Sequence, residues 1–233
     1  MKLIALETST EACSVAVLDE DVLIERFEVA PRRHAELTLP WAEALLAEAG
    51  LARKELNAVA VGRGPGAFTG VRLGVSLAQG MALALDIPAI AVSTLAALAM
   101  RAPMVDGQRI LAAIDARMGE VYWATFEVRD GLPQPLGDER VGAPESVEIV
   151  GDGWHGVGTG FAAQEGQLAW QLEPQMVQVD AEALPHAADI ARLAEAAHAR
   201  GEAVAPERLE PAYLRNQVAL TLAEQQALRD SRQ

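Results

Sequence analysis

The sequence predicts an α/β protein whose core is built twice, and three observations carry that expectation. Short apolar runs with strand character open the chain and recur from Ile110. Helical periodicities lie between and after them. The interior must be filled by alanine, leucine and valine, because 51% of the chain is hydrophobic and only 4% aromatic. Side chains that small suit helices packed closely on a sheet better than an aromatic-rich sandwich. At 233 residues there is enough chain for one large or two small domains, each with a core. Its hydrophobic content excludes disorder as the dominant state.

Residues 3–7 and 12–18 read as strands, with Thr8 to Glu11 as the polar turn between them. A third strand, Val22 to Val29, follows the Asp19-Glu20-Asp21 turn. From His34 the period changes: Leu39, Ala42, Leu46 and Ala49 recur at helical spacing, as do Leu37, Trp41 and Ala44, and Gly50 is placed to stop the helix. Pro40 falls inside this pattern and is expected to bend the helix or leave an irregular first turn. Val59 to Gly62 is a short strand leading into GRGPGAFTG and a helix from about Val71 to Leu85. On that helix Val71, Val75, Ala78, Ala82 and Leu85 form one stripe, and Gly74, Leu77, Met81 and Ala84 a second beside it. So wide an apolar surface exceeds what one sheet needs. Gly74 and Gly80 each lower helix propensity by about 1 kcal/mol relative to alanine, which is easiest to explain if another backbone comes close.

Ala89 to Val92 gives a further strand and Thr94 to Arg101 a short helix, before a linker-like RAPMVDGQR. Ile110 to Ile114 and Val121 to Val128 then restart the strand pattern of the first half, which suggests a duplicated core. Residues 129–176 are rich in proline and glycine and only partly strand-like; Ala187 to Ala199 is a helix. Leu220 to Gln233 has helical propensity but grows polar and is expected to fray.

Nineteen basic against thirty-three acidic residues give a formal charge of −14, with no basic cluster. Phosphate backbones should repel such a chain, so stand-alone nucleic-acid binding is not expected; work on RNA within a complex is not excluded. Cys13 is the single cysteine, so an intramolecular disulfide is ruled out, and its apolar surroundings favour a buried structural thiol over a reactive one. The opening residues lack the pattern of a signal peptide, and no run approaches eighteen apolar residues free of charge and glycine, so no membrane association is expected and the predicted location is the cytoplasm.

Several segments bear on chemistry. The glycine-rich loop after a strand and before a helix is open to two readings: a cradle whose backbone N–H groups meet phosphate, with Gly64 and Gly66 as candidates, or a tight turn that brings strand and helix together. It matches neither the Walker A pattern nor GxGxxG. The hydroxyls of Thr8, Ser9 and Thr10 likewise suit either a phosphate contact, with Glu7 supporting a metal indirectly, or an ordinary polar hairpin; Thr8 and Thr10 are the candidates. Four histidines occur, none in an HExxH arrangement, and His34 shares its helix face with Thr38, a poor metal ligand. No nucleophilic triad is visible. Asp115, near Arg117 and Glu120, is either an active-site carboxylate or a salt-linked turn.

Five segments in order, LIALETSTEACSVAV, RRHAELTLP, GRGPGAFTGVRLGVSLAQGMAL, DARMGEVYWA and PAYLRN, resemble the bacterial family of non-catalytic partners of the tRNA threonylcarbamoyl transferase. They run from Leu3 to Asn216, almost the whole chain. The resemblance implies an actin-like, hexokinase-type (ASKHA) α/β fold with two lobes, a duplicated mixed sheet and flanking helices, here 1–102 and 103–233. It implies no catalysis and no cofactor of its own. The implied role is pairing with the homologous transferase subunit, joined by an ATP-hydrolysing subunit, with ATP and metal held by those partners. The complex forms N6-threonylcarbamoyladenosine beside the anticodon of tRNAs reading ANN codons, tRNA being reached only through the complex; alone, such proteins form homodimers.

By the same resemblance the pairing surface lies on the first-lobe helices, here Leu37, Trp41, Val71, Gly74, Val75, Leu77, Ala78 and Met81. The catalytic relative holds its metal with two histidines four residues apart on the first long helix, where this chain has His34 and Thr38. Glu7 stands where the family commonly has aspartate; a longer carboxylate would misplace a Mg²⁺-linked water. The competing expectation is a small-molecule kinase or ATPase of the same fold, using the Thr8–Thr10 turn and the Gly64–Gly70 loop. A metallopeptidase is the weaker third.

Overall fold

A computed structural model describes residues 1–215. Three antiparallel strands, β1 (Lys2–Glu7), β2 (Ala12–Asp19) and β3 (Val22–Val29), lead into α1 (His34–Glu48), β4 (Ala58–Gly62), α2 (Phe68–Leu85), β5 (Ala89–Val92) and α3 (Thr94–Ala99). The pattern then restarts with β6 (Arg109–Arg117), β7 (Glu120–Arg129), β8 (Leu132–Pro135) and β9 (Arg140–Gly142). It closes with β10 (Trp154–Val157), α4 (Gln167–Leu172), β11 (Met176–Asp180) and α5 (Ala187–Ala199). The expected tail helix at 220–233 lies outside the described residues.

The first sheet has the order β3-β2-β1-β4-β5 and the second β8-β7-β6-β10-β11, with β9 also paired to β7. Each position matches in sense: β1/β2 and β6/β7 are antiparallel, β1/β4 and β6/β10 parallel, and β4/β5 and β10/β11 parallel. The core is therefore duplicated strand for strand, and the fold is actin-like.

The period-2 alternation of the first sheet sends its side chains into two different layers. Ile4, Leu6, Val15, Val17, Val59 and Val61 face α1 and α2. Leu3, Ala5, Ala16, Ala58 and Ala60 face α5, which answers with Ala187, Ala191, Ala194 and Ala197. Both faces are covered, so the central strands read as unbroken apolar runs.

Helix α5 crosses the division expected at residue 102. Although it follows the second sheet in sequence, α5 packs on the first, while α3 sets Leu95, Leu98 and Ala99 against Ile110, Ala112 and Ile114 of the second. Each lobe's last helix thus helps cover the other lobe's sheet, so each sheet has one face packed within its own lobe and one packed by a helix from across the division.

Two local expectations are refined. Helix α1 continues through Pro40, which lies on its exposed side. Gly50 ends that helix in the left-handed conformation, with Leu51 N–H donating to Leu46 O at 2.9 Å. Helix α2 begins at Phe68, a turn earlier than the periodicity predicts, because Gly70 and Thr69 are already helical. By length and composition α2 would span a membrane, yet one face of it forms the first-lobe core.

Candidate functional site

The β1–β2 turn and the glycine loop meet, and their contact decides between the readings left open by the sequence. Thr8 Oγ1 donates to Gly70 O at 2.8 Å, and Ala67 N–H donates to Ser9 O at 2.7 Å. Thr94 Oγ1 is the centre of the arrangement: it donates to Glu7 Oε2 at 3.2 Å, accepts Gly64 N–H at 3.2 Å, and lies 3.0 Å from Ser9 Oγ. Either hydroxyl of the Ser9–Thr94 pair can be the donor, and both are taken up in this buried contact. Glu7, Thr8, Ser9 and Thr94 are all fully buried.

The glycines answer to the same contact. A Cβ at Gly66 would lie 2.4 Å from Ser9 O, at Gly70 2.1 Å from Thr8 O, and at Gly74 2.6 Å from Thr8 Oγ1. Even Gly62 is fixed this way, since a Cβ there would lie 1.9 Å from Glu7 Oε2. The tight-turn reading holds: these glycines let the loop and helix seat on the Thr8–Ser9 backbone. The close neighbour anticipated for Gly74 is therefore in this chain. Gly80 differs: among the described residues nothing outside its own helix lies within 4 Å of a Cβ built there.

Burial pushes the Glu7 carboxyl above the ordinary glutamate range, against the opposing hydrogen bonds from Ser9 and Thr94. The folded state then holds this proton more tightly than the unfolded chain, so Glu7 favours folding below the ordinary value of 4.5 and loses that contribution as pH rises through its elevated folded pKa. Glu7→Gln is accordingly expected to flatten the decline of stability above pH 4.5, measured as urea midpoints between pH 4 and 8. An unchanged slope would show that Glu7 does not govern it.

A cleft of about 1140 Å³ opens between the lobes, lined by Thr10, Gly66, His34, Asp115, Tyr122 and Arg215 among others. Of the four phosphate candidates, Thr10 and Gly66 reach it, whereas Thr8 and Gly64 do not. Thr8 and Ser9 turn their hydroxyls into the loop contact, whereas Thr10, in the cleft lining, accepts Ala12 N–H at 3.3 Å. His34 Nε2 lies 3.0 Å from Thr10 O and 3.1 Å from Ala12 O, which makes it an N–H donor to backbone. Thr38 donates back to His34 O at 2.7 Å and touches Cys13 Sγ, whose thiol burial pushes up. Asp115 pairs with Arg117 at 2.7 Å and accepts its N–H at 2.8 Å, the salt-linked turn.

Sequence reasoning did not find the groups that tie the lobes. Arg63 pairs with Glu139 at 3.1 Å, and Ser93 donates to the same carboxylate. Ala212 N–H donates to Arg63 O at 2.8 Å, Arg72 Nε to Tyr213 Oη at 2.9 Å, and Arg215 pairs with Glu120. These partners are more than 30 residues apart, so no local pattern announces them.

The proposed pairing surface divides in two. Val71, Gly74, Val75 and Ala78 are buried in the first-lobe core, which corrects their assignment to an outward face; Leu37 is buried too. Trp41, Leu77 and Met81 are only partly buried. Leu73, Leu77, Gly80 and Ala84 follow one another at helical spacing away from the centre of the core, with Leu77 still packed against its edge and exposed Leu83 beside them.

Residues 27–223 match the family model described as TsaD, tRNA N6-adenosine threonylcarbamoyltransferase. The chain is 43% identical to the tRNA threonylcarbamoyladenosine biosynthesis protein TsaB of Escherichia coli K12, over 94% of this chain and 96% of that protein. It belongs to the TsaB family. The TsaB of Haemophilus influenzae is 37% identical over 94% of this chain and 95% of its own. Among solved structures, YeaZ from Pseudomonas aeruginosa is 47% identical, with a TM-score of 0.82 over 91% of this chain and 99% of that one. Family membership thus joins a transferase-type actin-like fold to a turn and loop whose polar groups serve the TsaB fold itself.

Proposed function

We propose that this TsaB-family chain is the non-catalytic partner subunit of a tRNA threonylcarbamoyl transferase, required for N6-threonylcarbamoyladenosine beside the anticodon of tRNAs reading ANN codons. It works in the cytoplasm by heterodimerising with the transferase through the outer face of α2 and the neighbouring part of α1. An ATP-hydrolysing subunit joins the pair, ATP and metal being held by the partners, and the chain forms homodimers when alone. The observation that carries the pairing surface is Gly80. A glycine in mid-helix lowers stability by about 1 kcal/mol relative to alanine, and among the described residues nothing beyond its own helix lies within 4 Å of a Cβ built there. Flanked by Leu73, Leu77 and Ala84, it leaves room for a partner helix to come close. The inward-facing hydroxyls of Thr8 and Ser9 and the backbone-bonded His34 support the absence of catalysis and oppose the kinase or ATPase alternative.

The test is threonylcarbamoyl transfer to unmodified tRNA by transferase, ATPase subunit and synthase, with and without this chain. Modification is expected only with it; equal modification without it would remove the proposal. Gly80→Leu is expected to keep the fold and weaken transferase binding at least tenfold in a titration, with Leu77→Asp doing the same. Unchanged affinity in both would move the pairing surface elsewhere.

A further inference from the structure

Residues 206–215 cross from one lobe to the other beside the cleft, and their two ends are held unequally. On the first lobe Leu209 is 2% exposed and belongs to the core under α2. Gln79 Nε2 donates to Pro206 O at 3.2 Å and to Leu209 O at 2.9 Å, which lays the segment along α2. Further on, Ala212 N–H donates to Arg63 O at 2.8 Å, and Arg72, stacked on the Phe68 ring at 3.5 Å, holds Tyr213 Oη. On the second lobe, among the described residues, every hydrogen bond and ion pair of the segment comes from one side chain. The Arg215 guanidinium pairs with Glu120, donates to Ala116 O at 3.3 Å and reaches Met118 Sδ at 3.7 Å, all in the turn between β6 and β7.

That turn is shaped for the grip. Arg117 (φ 63°) and Met118 (φ 58°) both take the left-handed conformation, which residues with a side chain rarely adopt. Strain of this kind persists only where the surroundings over-determine it. Here Asp115 accepts the Arg117 N–H and pairs with its guanidinium, and Arg215 ties the carbonyl before the bend to the carboxylate after it. Position adds leverage. The exchanged helices α3 and α5 pack buried side chains across the division, and are the pivot for any turning of one lobe against the other. The Arg63–Glu139–Ser93 clasp sits at the start of α3, beside that pivot, and none of its three residues lines the cleft. Ala212, Tyr213, Leu214 and Arg215 do line it. A tie across the cleft itself limits its opening more directly than one beside the pivot.

We propose that residues 206–215 are a latch on the cleft, fastened to the first lobe and releasable at Arg215, and that its release lets the lobes open. The unequal anchoring decides which end lets go. Withdrawing the first-lobe end would expose Leu209 and break the Ala212 and Gln79 hydrogen bonds. The second-lobe end gives up one guanidinium, whose partner Glu120 has a side chain 37% exposed and is hydrated where it stands. Because that pair is open to solvent, salt weakens it, and the cleft widens as ionic strength rises.

The test places spin labels at Ala35→Cys and Ala162→Cys, exposed positions in the two cleft walls, and measures their separation in the full chain by double electron–electron resonance. Cys13 is buried and takes no label. The otherwise wild-type chain should give one narrow distance at low salt. Arg215→Ala should move it several ångströms to longer separation and broaden it, with a thermal midpoint within about 4 °C of wild type, since only a partly exposed pair is lost. Raising salt to about 1 M, where the Debye length is about 3 Å, should move the wild type the same way and leave Arg215→Ala where it is. Arg117→Ala, which removes the Asp115 pair and not the latch, should keep the wild-type distance. Hydrogen exchange gives a second readout: the Ala212 amide should stay protected in Arg215→Ala, because the first-lobe end remains seated. An unchanged distance in Arg215→Ala, an equal shift in Arg117→Ala, or a salt response alike in wild type and Arg215→Ala would overturn the latch. Loss of Ala212 protection in Arg215→Ala would overturn the assignment of Arg215 as the releasing end.

Discussion

Val75→Asp is expected to abolish folding of this chain, with no native signal in near-UV circular dichroism at pH 7. Val75 is 3% exposed and packs with Val61, Val71, Ala78 and the strand valines under α2. The substitution removes about 1.5–3 kcal/mol of apolar burial. It also places a carboxylate where no partner awaits it, a further cost of several kcal/mol whether it ionises or is forced to hold a proton. Together these approach the roughly 5–15 kcal/mol that separates folded from unfolded domains. Leu77→Asp, two residues along and only partly buried at the edge of that core, should lower stability far less, by about 1–2 kcal/mol, and leave the chain folded. The contrast separates fold from assembly. A Val75→Asp chain that melts at the wild-type temperature would show that this face is not the core.

The second large effect is at Gly70. Helix propensity alone predicts that Gly70→Ala stabilises α2 by about 1 kcal/mol. The structure predicts the opposite sign, because the new Cβ would lie 2.1 Å from the Thr8 carbonyl oxygen. That oxygen belongs to backbone clamped by the Thr8–Gly70 and Ala67–Ser9 hydrogen bonds, so the clash is not relieved by turning a side chain. A net loss of about 3 kcal/mol or more is expected in urea unfolding. Gly80→Ala provides the control: with open space around it, it should gain up to about 1 kcal/mol. Equal gains at both positions would contradict the close seating of α2 on the β1–β2 turn.

What could be read from the sequence follows the range over which its signals act. The strands and helices of the first lobe were legible because alternation and helical periodicity are local: Ala89–Val92 and Ala187–Ala199 coincide with their expected spans, and Val22–Val29 does as well. The duplication was legible in outline from the recurring strand pattern, although only the matching sheet orders establish it. The family was legible because its segments are long and ordered along the chain.

The site was less legible, for a physical reason. GRGPGAFTG and ETSTEACS have the composition both of a phosphate cradle and of two backbones in contact, since glycine and small hydroxyls serve either. Thr94, more than 80 residues from Ser9 and Glu7, ties both of them and Gly64 N–H into one buried contact that the sequence does not announce.

The sequence by itself determined the α/β class, most element spans, the family, and the acidic charge that sets the chain against bare RNA. Tertiary structure alone decided which stripe of α2 is core, that α5 and α3 are exchanged between the lobes, and that the glycines accommodate the chain's own turn. Amphipathic period gives a helix two faces but does not say which sheet covers which. When both stripes are apolar, as on α2, only the packed neighbours break the tie.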